Sequence, residues 1–287
     1  MTSSSMSRTS SPARMRSLVR GWRGGGRRVA FVPTMGALHE GHLSLIRRAR
    51  RRADRIAVSI FVNPRQFDRA EDLERYPRDL GRDLRLCRLE KVDACFTPAA
   101  GALYPPGHRT EVRVTGLESV WEGASRPGHF AGVTLVVLKL LHIVEPDLVL
   151  LGQKDAQQAV ILERMIRDLD LPVRVLRAPV VREPDGLAMS SRNVRLTEVQ
   201  RRAAPVLHRA LVRARRAARE GERSPARLLK RIRREIEAEP AVRLDYAAVV
   251  DADTLEPLRR MEGRVLIPVA AFLGRVRLID NVQFRLP

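Results

Sequence analysis

The sequence predicts an α/β fold, a parallel sheet with helices on both faces, followed by a smaller C-terminal α+β domain. Three observations predict it. Short apolar, β-branched runs alternate with amphipathic helical patterns over most of the first 184 residues, as a sheet covered on both faces requires. After about residue 197 the texture changes to Arg/Ala/Glu-rich helical patterns and then to three β-like segments. With 287 residues, 44% of them hydrophobic, the chain can build one large core or two smaller ones.

Taken in order, residues 1–27 read as a basic, disordered tail, because the stretch is rich in Ser and Arg and lacks the apolar core of an export signal. Residues 28–33 are the first strand, followed by Gly-containing turn residues and a helix over about 42–52. Further strands are predicted at 55–62, 92–97, 147–151 and 173–181, with helices at 80–89, 133–144 and 156–169 between them. The first domain spans 28–184 and the second 185–287. In the second, helices at 199–220 and 225–239 are joined by Gly-Glu-Arg-Ser, and β segments follow at 245–250, 264–272 and 275–284. Gly274 is placed as a hairpin turn between the last two.

The formal charge is +20, which taken alone suggests nucleic acid or another acidic partner. Only Lys91, Lys139, Lys154 and Lys230 are lysines, however, and the arginines are spread along the chain. Aromatic residues make up just 4%, leaving few stacking platforms. We therefore read the basic stretches at 47–52 and 201–234 as solvated helix faces, with a nucleic-acid surface as the alternative. Cys87 and Cys95 have neither disulfide nor metal-ligand spacing, so a reduced, intracellular setting is expected. The longest apolar run, 130–144, is too short to cross a membrane.

Four constellations carry chemistry. Pro33-Thr34-Met35-Gly36-Ala37-Leu38-His39-Glu40-Gly41-His42 joins the first strand to a helix, where an open α/β sheet places a nucleotide's phosphates. His39 and His42 are three apart and share a face of the first helical turn, suited to donating hydrogen bonds to a phosphate. Their spacing is wrong for a metalloprotease zinc site. Gly152-Gln153-Lys154-Asp155-Ala156-Gln157-Gln158 likewise follows a buried strand, and Lys154 supplies a compact cation; Asp155 is equally a helix cap. In residues 182–193, Ser190, Ser191, Arg192 and Asn193 offer phosphate donors, or an ordinary loop and cap. Past the second strand, Asn63 and Gln66 suit a small polar ligand beside Phe61, Pro33 and Met35, or a plain strand end.

With PTMGALHEGH at 33–42, SIFVNPRQF at 59–67, YPR at 76–78, RPGHFAGV at 126–133, GQKDAQQ at 152–158 and REPDGLAMSSRN at 182–193, the chain resembles the pantothenate synthetase family of H-x-G-H nucleotidyltransferases from about Val29 onward. The resemblance implies a Rossmann-like sheet and an ATP-dependent ligation of pantoate to β-alanine through pantoyl adenylate, with release of AMP and pyrophosphate. It implies catalytic roles for His39, His42, Lys154 and Arg192. Met35, Gly41, Gly152, Lys154, Asp155, Val181, Met189, Ser190, Ser191 and Arg192 would contact ATP. Pro33, Met35, Gln66, Val136, Val137 and Gln158 would contact pantoate, and Asp83 would help to hold Mg²⁺. Arg126 and His129 match a family stretch without a firm role. The resemblance also implies a cytoplasmic homodimer. Alternatives are an adenylyltransferase acting on a phosphate acceptor and a nucleic-acid-binding protein.

Overall fold

Strands buried on both faces must find helices above and below them. In the computed structural model, which describes residues 6–287, the chain divides into two units. The first contains β1 (Ser7–Thr9), α1 (Pro12–Gly24), β2 (Val29–Thr34), α2 (Glu40–Arg50), β3 (Arg55–Ile60), α3 (Ala70–Glu74), α4 (Leu80–Leu89), β4 (Ala94–Phe96), α5 (Ala100–Leu103), α6 (Glu122–Ser125), α7 (His129–Val144) and β5 (Leu148–Gly152). After β5, α8 (Ala156–Asp168) crosses the division between the units, and β6 (Arg174–Ala178) closes the first.

All six strands of this unit are parallel, in the order β1-β4-β3-β2-β5-β6. With edge strand β1 set aside, the chain builds outward from β2 through β3 to β4, then returns to the other side of β2 for β5 and β6. This is the doubly wound plan, and its direction reverses between β2 and β5. Val29, Ala30, Phe31 and Val32 are all 0% exposed, so β2 is covered on both sides. Helix α2 buries Leu43, Leu45, Ile46 and Ala49 and turns Arg47 and Arg48 outward, as its periodicity predicts.

The disordered tail expected for residues 1–27 needs correction. Residues 1–5 lie outside the described part, but from residue 7 the chain is ordered. Strand β1 pairs with β4, from Ser7 opposite Ala94 to Thr9 opposite Phe96. Ser11 caps α1 and Pro12 occupies its first turn, while Met15 and Val19, one turn apart, are fully buried. The Ser and Arg content hid a capped amphipathic helix. Two boundaries also shift. The helix expected over 199–220 is broken before Val206 by Pro205, and α7 begins at His129 rather than 133 because left-handed Gly128 starts it.

The second unit comprises residues 153–160 and 179–287. Its later elements are α9 (Glu198–Ala203), α10 (Val206–Arg219), α11 (Pro225–Glu237), β7 (Arg243–Ala247), β8 (Val250–Asp251), β9 (Gly263–Leu273) and β10 (Val276–Leu286). The strands are antiparallel in the order β10-β9-β7, with β8 also on β9. Val265, Ile267, Val269, Ala271 and Leu273 alternate along β9 into a core with Leu207 and Leu211 of α10 and Leu228, Ile232 and Ile236 of α11. Gly274, with φ 58°, makes the tight turn between β9 and β10. The arginines of α10 and α11 are exposed, as expected, except half-buried Arg215.

The division differs from a single cut at residue 184, because residues 153–160 go with the second unit. The physical reason is Asn281 of β10, whose amide nitrogen donates to the carbonyls of Gln153 at 2.8 Å and Lys154 at 3.0 Å. Among the described residues, no helix is long and apolar enough to cross a membrane.

Candidate active site

In a doubly wound sheet, ligands bind beyond the carboxyl ends of the strands where the strand order reverses. Here those strands are β2 and β5. Beyond β2 the backbone passes through two left-handed residues, Gly36 with φ 88° and Ala37 with φ 50°, which turn the chain from strand to helix. Thr34 steadies the approach: its hydroxyl donates to the Ser59 carbonyl at 2.7 Å and accepts from the Gly36 nitrogen at 3.3 Å.

His39 is the N-cap of α2. Its Nδ1 accepts from the Gly41 nitrogen at 3.1 Å, and Nδ1 of His42 accepts from the His39 nitrogen at 3.3 Å. Two imidazoles thus form a reciprocal cap of the kind usually made by a hydroxyl and a carboxamide. A ring nitrogen that accepts carries no proton, so each neutral ring keeps its proton on Nε2. The rings lie 4.2 Å apart between centroids, and both are half-buried. Two N–H donors therefore stand on the first turn of a helix whose amino end already favours anions. A Cβ at position 41 would lie 2.8 Å from Cε1 of His39, so a larger residue there would displace that ring.

Asp83, which the resemblance offers to Mg²⁺, is turned onto backbone in this structure. It is 1% exposed, and its two oxygens accept from the Ala37 and Leu38 nitrogens, each at 2.8 Å. Among the described residues, no group of three His, Cys, Asp or Glu side chains is arranged to hold a metal ion. Both Asp83 oxygens face backbone N–H groups, and no step is derived through a metal ion.

Gln66 closes a short 3-10 turn, Pro64–Gln66, and is held from several directions. The Asn63 amide nitrogen donates to Gln66 Oε1 at 3.1 Å and to the Gly132 carbonyl at 3.0 Å. The Tyr104 hydroxyl donates to Asn63 Oδ1 at 2.8 Å, and burial pushes that phenol up to about 12, so it remains a donor at neutral pH. His129 Nδ1 is 2.7 Å from the Gln66 carbonyl, and Arg126 donates to the same oxygen at 3.2 Å. Helix α7 comes so near this turn that a Cβ on Gly132 would lie 2.2 Å from the Arg65 carbonyl oxygen. Val136 and Val137 lie farther along α7, each 5% exposed; Pro33 and Met35 are half-buried around the end of β2.

Beyond β5, which ends at half-buried Gly152, comes the second unit's portion. Lys154 sits in the 3-10 turn Gln153–Asp155, with its ammonium 3.5 Å from Asp155 Oδ1. Gln158 is half-buried on the first turn of α8. Val181 and Met189 are brought together, as the Met189 nitrogen donates to the Val181 carbonyl at 3.0 Å across the intervening loop. Buried Asp280 anchors that loop by pairing with the Arg182 guanidinium at 2.6 and 2.9 Å. Ser190, Ser191 and Arg192 follow, all half-buried; the Ser190 hydroxyl accepts from the Arg192 nitrogen at 3.2 Å. Sequence reasoning missed Tyr104, Asp280 and Asn281. Their partners are distant in the chain, and no local pattern points to them. Gly132, by contrast, lies in a stretch already singled out.

The fold and these segments define a doubly wound α/β protein, with imidazole and ammonium groups where the chain leaves β2 and β5. The comparisons with known proteins agree. The family profile described as pantoate-beta-alanine ligase matches residues 7–283. A pantothenate synthetase of Moorella thermoacetica is 53% identical over 270 residues, covering 94% of this chain and 95% of its own. One of Heliobacterium modesticaldum is 54% identical, covering 90% and 92%. The crystal structure of pantothenate synthetase from Thermus thermophilus aligns with a TM-score of 0.91 at 45% identity, covering 96% of this chain and 99% of that one. A Francisella tularensis pantoate-beta-alanine ligase, solved in complex with beta-gamma ATP and beta-alanine, aligns at 0.79 with 32% identity and covers 97% of both chains. The chain belongs to the pantoate–β-alanine ligase family, the pantothenate synthetases. The match begins at residue 7, so the family pattern starts earlier than the Val29 expected from the motifs and takes in β1 and α1.

Proposed function

We propose that the protein condenses pantoate with β-alanine through a pantoyl-adenylate intermediate, consuming ATP and releasing pyrophosphate and AMP. The observation that carries this reading is the two-histidine cap where the chain leaves β2, which sets two imidazoles on the first turn of a helix whose amino end favours anions. A free carboxylate does not acylate an amine usefully, because oxide is a poor leaving group. In the proposed reaction, a pantoate carboxylate oxygen attacks the α-phosphorus of ATP, and the bond to the β-phosphate's bridging oxygen breaks to release pyrophosphate. The amine of β-alanine then attacks the acyl carbon, loses a proton and expels AMP. The protein supplies positioning and charge neutralisation and needs no covalent nucleophile.

In this reading His39, His42 and Lys154 stabilise the charge developing on the phosphates, and Ser190, Ser191 and Arg192 hold the β- and γ-phosphates. Gly41, Gly152, Val181 and Met35 lie against the nucleotide, with Met189 by the adenine and Asp155 by the ribose. Gln66 and Gln158 bind the pantoate hydroxyls and carboxylate, and Pro33, Met35, Val136 and Val137 surround its methyl groups. The network around Gln66 supports its role, since Asn63 holds its side-chain amide and His129 its backbone carbonyl before substrate arrives. Mg²⁺ is assigned to the triphosphate and to no protein carboxylate. Homodimer assembly and a cytoplasmic location belong to the same reading.

The test is exchange of labelled pyrophosphate into ATP. Exchange that requires pantoate and proceeds without β-alanine is expected. Exchange that needs a phosphate-bearing acceptor instead overturns the reading in favour of another adenylyltransferase.

A further inference from the structure

The turn that presents the two histidines is held from outside itself. Both oxygens of buried Asp83 accept from the backbone nitrogens of Ala37 and Leu38. Its neighbour Arg82 donates to the Leu38 carbonyl at 2.8 Å, so two successive residues of α4 grip the peptides just ahead of His39. The grip falls on a strained path: Ala37 has φ 50°, which a residue with a side chain keeps only where its surroundings impose it. There is no slack beside it, because a Cβ on Gly36 would lie 2.9 Å from Asp83 Oδ2 and 3.1 Å from Ile60 Cγ2.

We infer that Asp83, assisted by Arg82, is a positioning residue for the two-histidine cap and does not bind metal. A carboxylate whose oxygens both face N–H groups offers a divalent cation a site ringed by positive hydrogens. Its negative charge instead fixes the direction in which the chain enters α2, and hence where the His39 and His42 rings stand. The inference rests on the proposed action of those rings on ATP.

The test compares the wild type with Asp83→Asn and Arg82→Ala. The asparagine turns an NH₂ toward one of the two backbone N–H groups. Pantoate-dependent pyrophosphate exchange is expected to fall about 100-fold in Asp83→Asn and about 10-fold in Arg82→Ala, as for a catalytic group displaced by a fraction of an ångström. The loss should appear in the exchange rate, with the Mg²⁺ concentration for half-maximal rate unchanged. Mn²⁺ titrated into ATP-free protein should bind the wild type and Asp83→Asn alike. A raised Mg²⁺ midpoint with the rate restored at saturating Mg²⁺, or Mn²⁺ binding lost in Asp83→Asn, overturns the inference in favour of a metal ligand. Wild-type rates in both variants overturn it as well. The Arg82 side chain is half exposed, so Arg82→Ala keeps the test decisive if Asp83→Asn fails to fold. Absence of exchange in the wild type itself would sink the functional reading, a distinguishable result.

Discussion

The imidazole of His42 accepts a hydrogen bond from the backbone nitrogen of His39 at 3.3 Å, so one proposed catalytic ring helps to cap the helix that the other begins. Helix stability and the presentation of two donors are therefore tied together at this point. Replacing His39 by Asn separates them, because Asn retains a capping acceptor and loses the Nε2 donor. The variant should keep its unfolding free energy to within about 1 kcal/mol while adenylate formation falls about 100-fold or more. Denaturant melts and pyrophosphate release measure the two effects. Full activity would remove His39 from the chemistry.

Removing a donor side chain outright should cost at least as much. His42→Ala and Lys154→Ala are each expected to slow adenylate formation by about two to three orders of magnitude. Near-normal pyrophosphate release would refute the assigned roles.

Gly41→Ala tests the close packing of the cap. The new methyl would press on the His39 ring, which must swing away. We expect the helix to persist, since alanine favours it, and the rate to drop by about 10- to 100-fold. An unchanged rate would show that the ring position is not critical.

Asn281→Ala would remove the side-chain donor that meets the carbonyls of Gln153 and Lys154. An expected loss of about 1–3 kcal/mol should appear in urea unfolding, together with a slower adenylation step. Stability loss with wild-type rate per folded molecule would mean that Asn281 does not tune Lys154.

Burial, and next the charge of Arg182, hold the His208 imidazole below its ordinary value, with Arg215 acting the same way and Asp280 opposing. The folded state thus binds this proton less readily than the unfolded state. Its contribution to stability is present above the unfolded value, about 6.5, and is lost as pH falls below it. The unfolding midpoint should decline with pH just below that value, and His208→Gln should flatten the decline. A variant with the same pH slope as wild type would exclude His208 as its source.

Met15→Ala addresses the N-terminal segment. Met15 is fully buried, so its truncation should destabilise the protein by about 2–5 kcal/mol. A change within error would mean that the segment does not pack as described.

Much of this was legible in the chain itself. The doubly wound alternation, the β9–β10 hairpin around Gly274 and the H-x-G-H and Gly-Gln-Lys-Asp junctions all rest on periodicity and turn chemistry, which act over a few residues. The N-terminal helix was readable in the same terms: Ser11, Pro12, Met15 and Val19 spell out a capped amphipathic turn. Composition obscured it.

What the sequence alone determined is therefore the main strands and helices from residue 28 onward, their order and the residues standing at their ends. What only the tertiary structure decided is which distant groups hold those ends still: Asp83 on the 36–38 turn, Tyr104 and Gly132 around Asn63 and Gln66, and Asn281 on the carbonyls beside Lys154. The reason is physical. A helix or strand is specified by neighbours along the chain. A backbone N–H or carbonyl at its end must find a partner in space, and folding can bring that partner from more than a hundred residues away, as with Asn281 and Lys154.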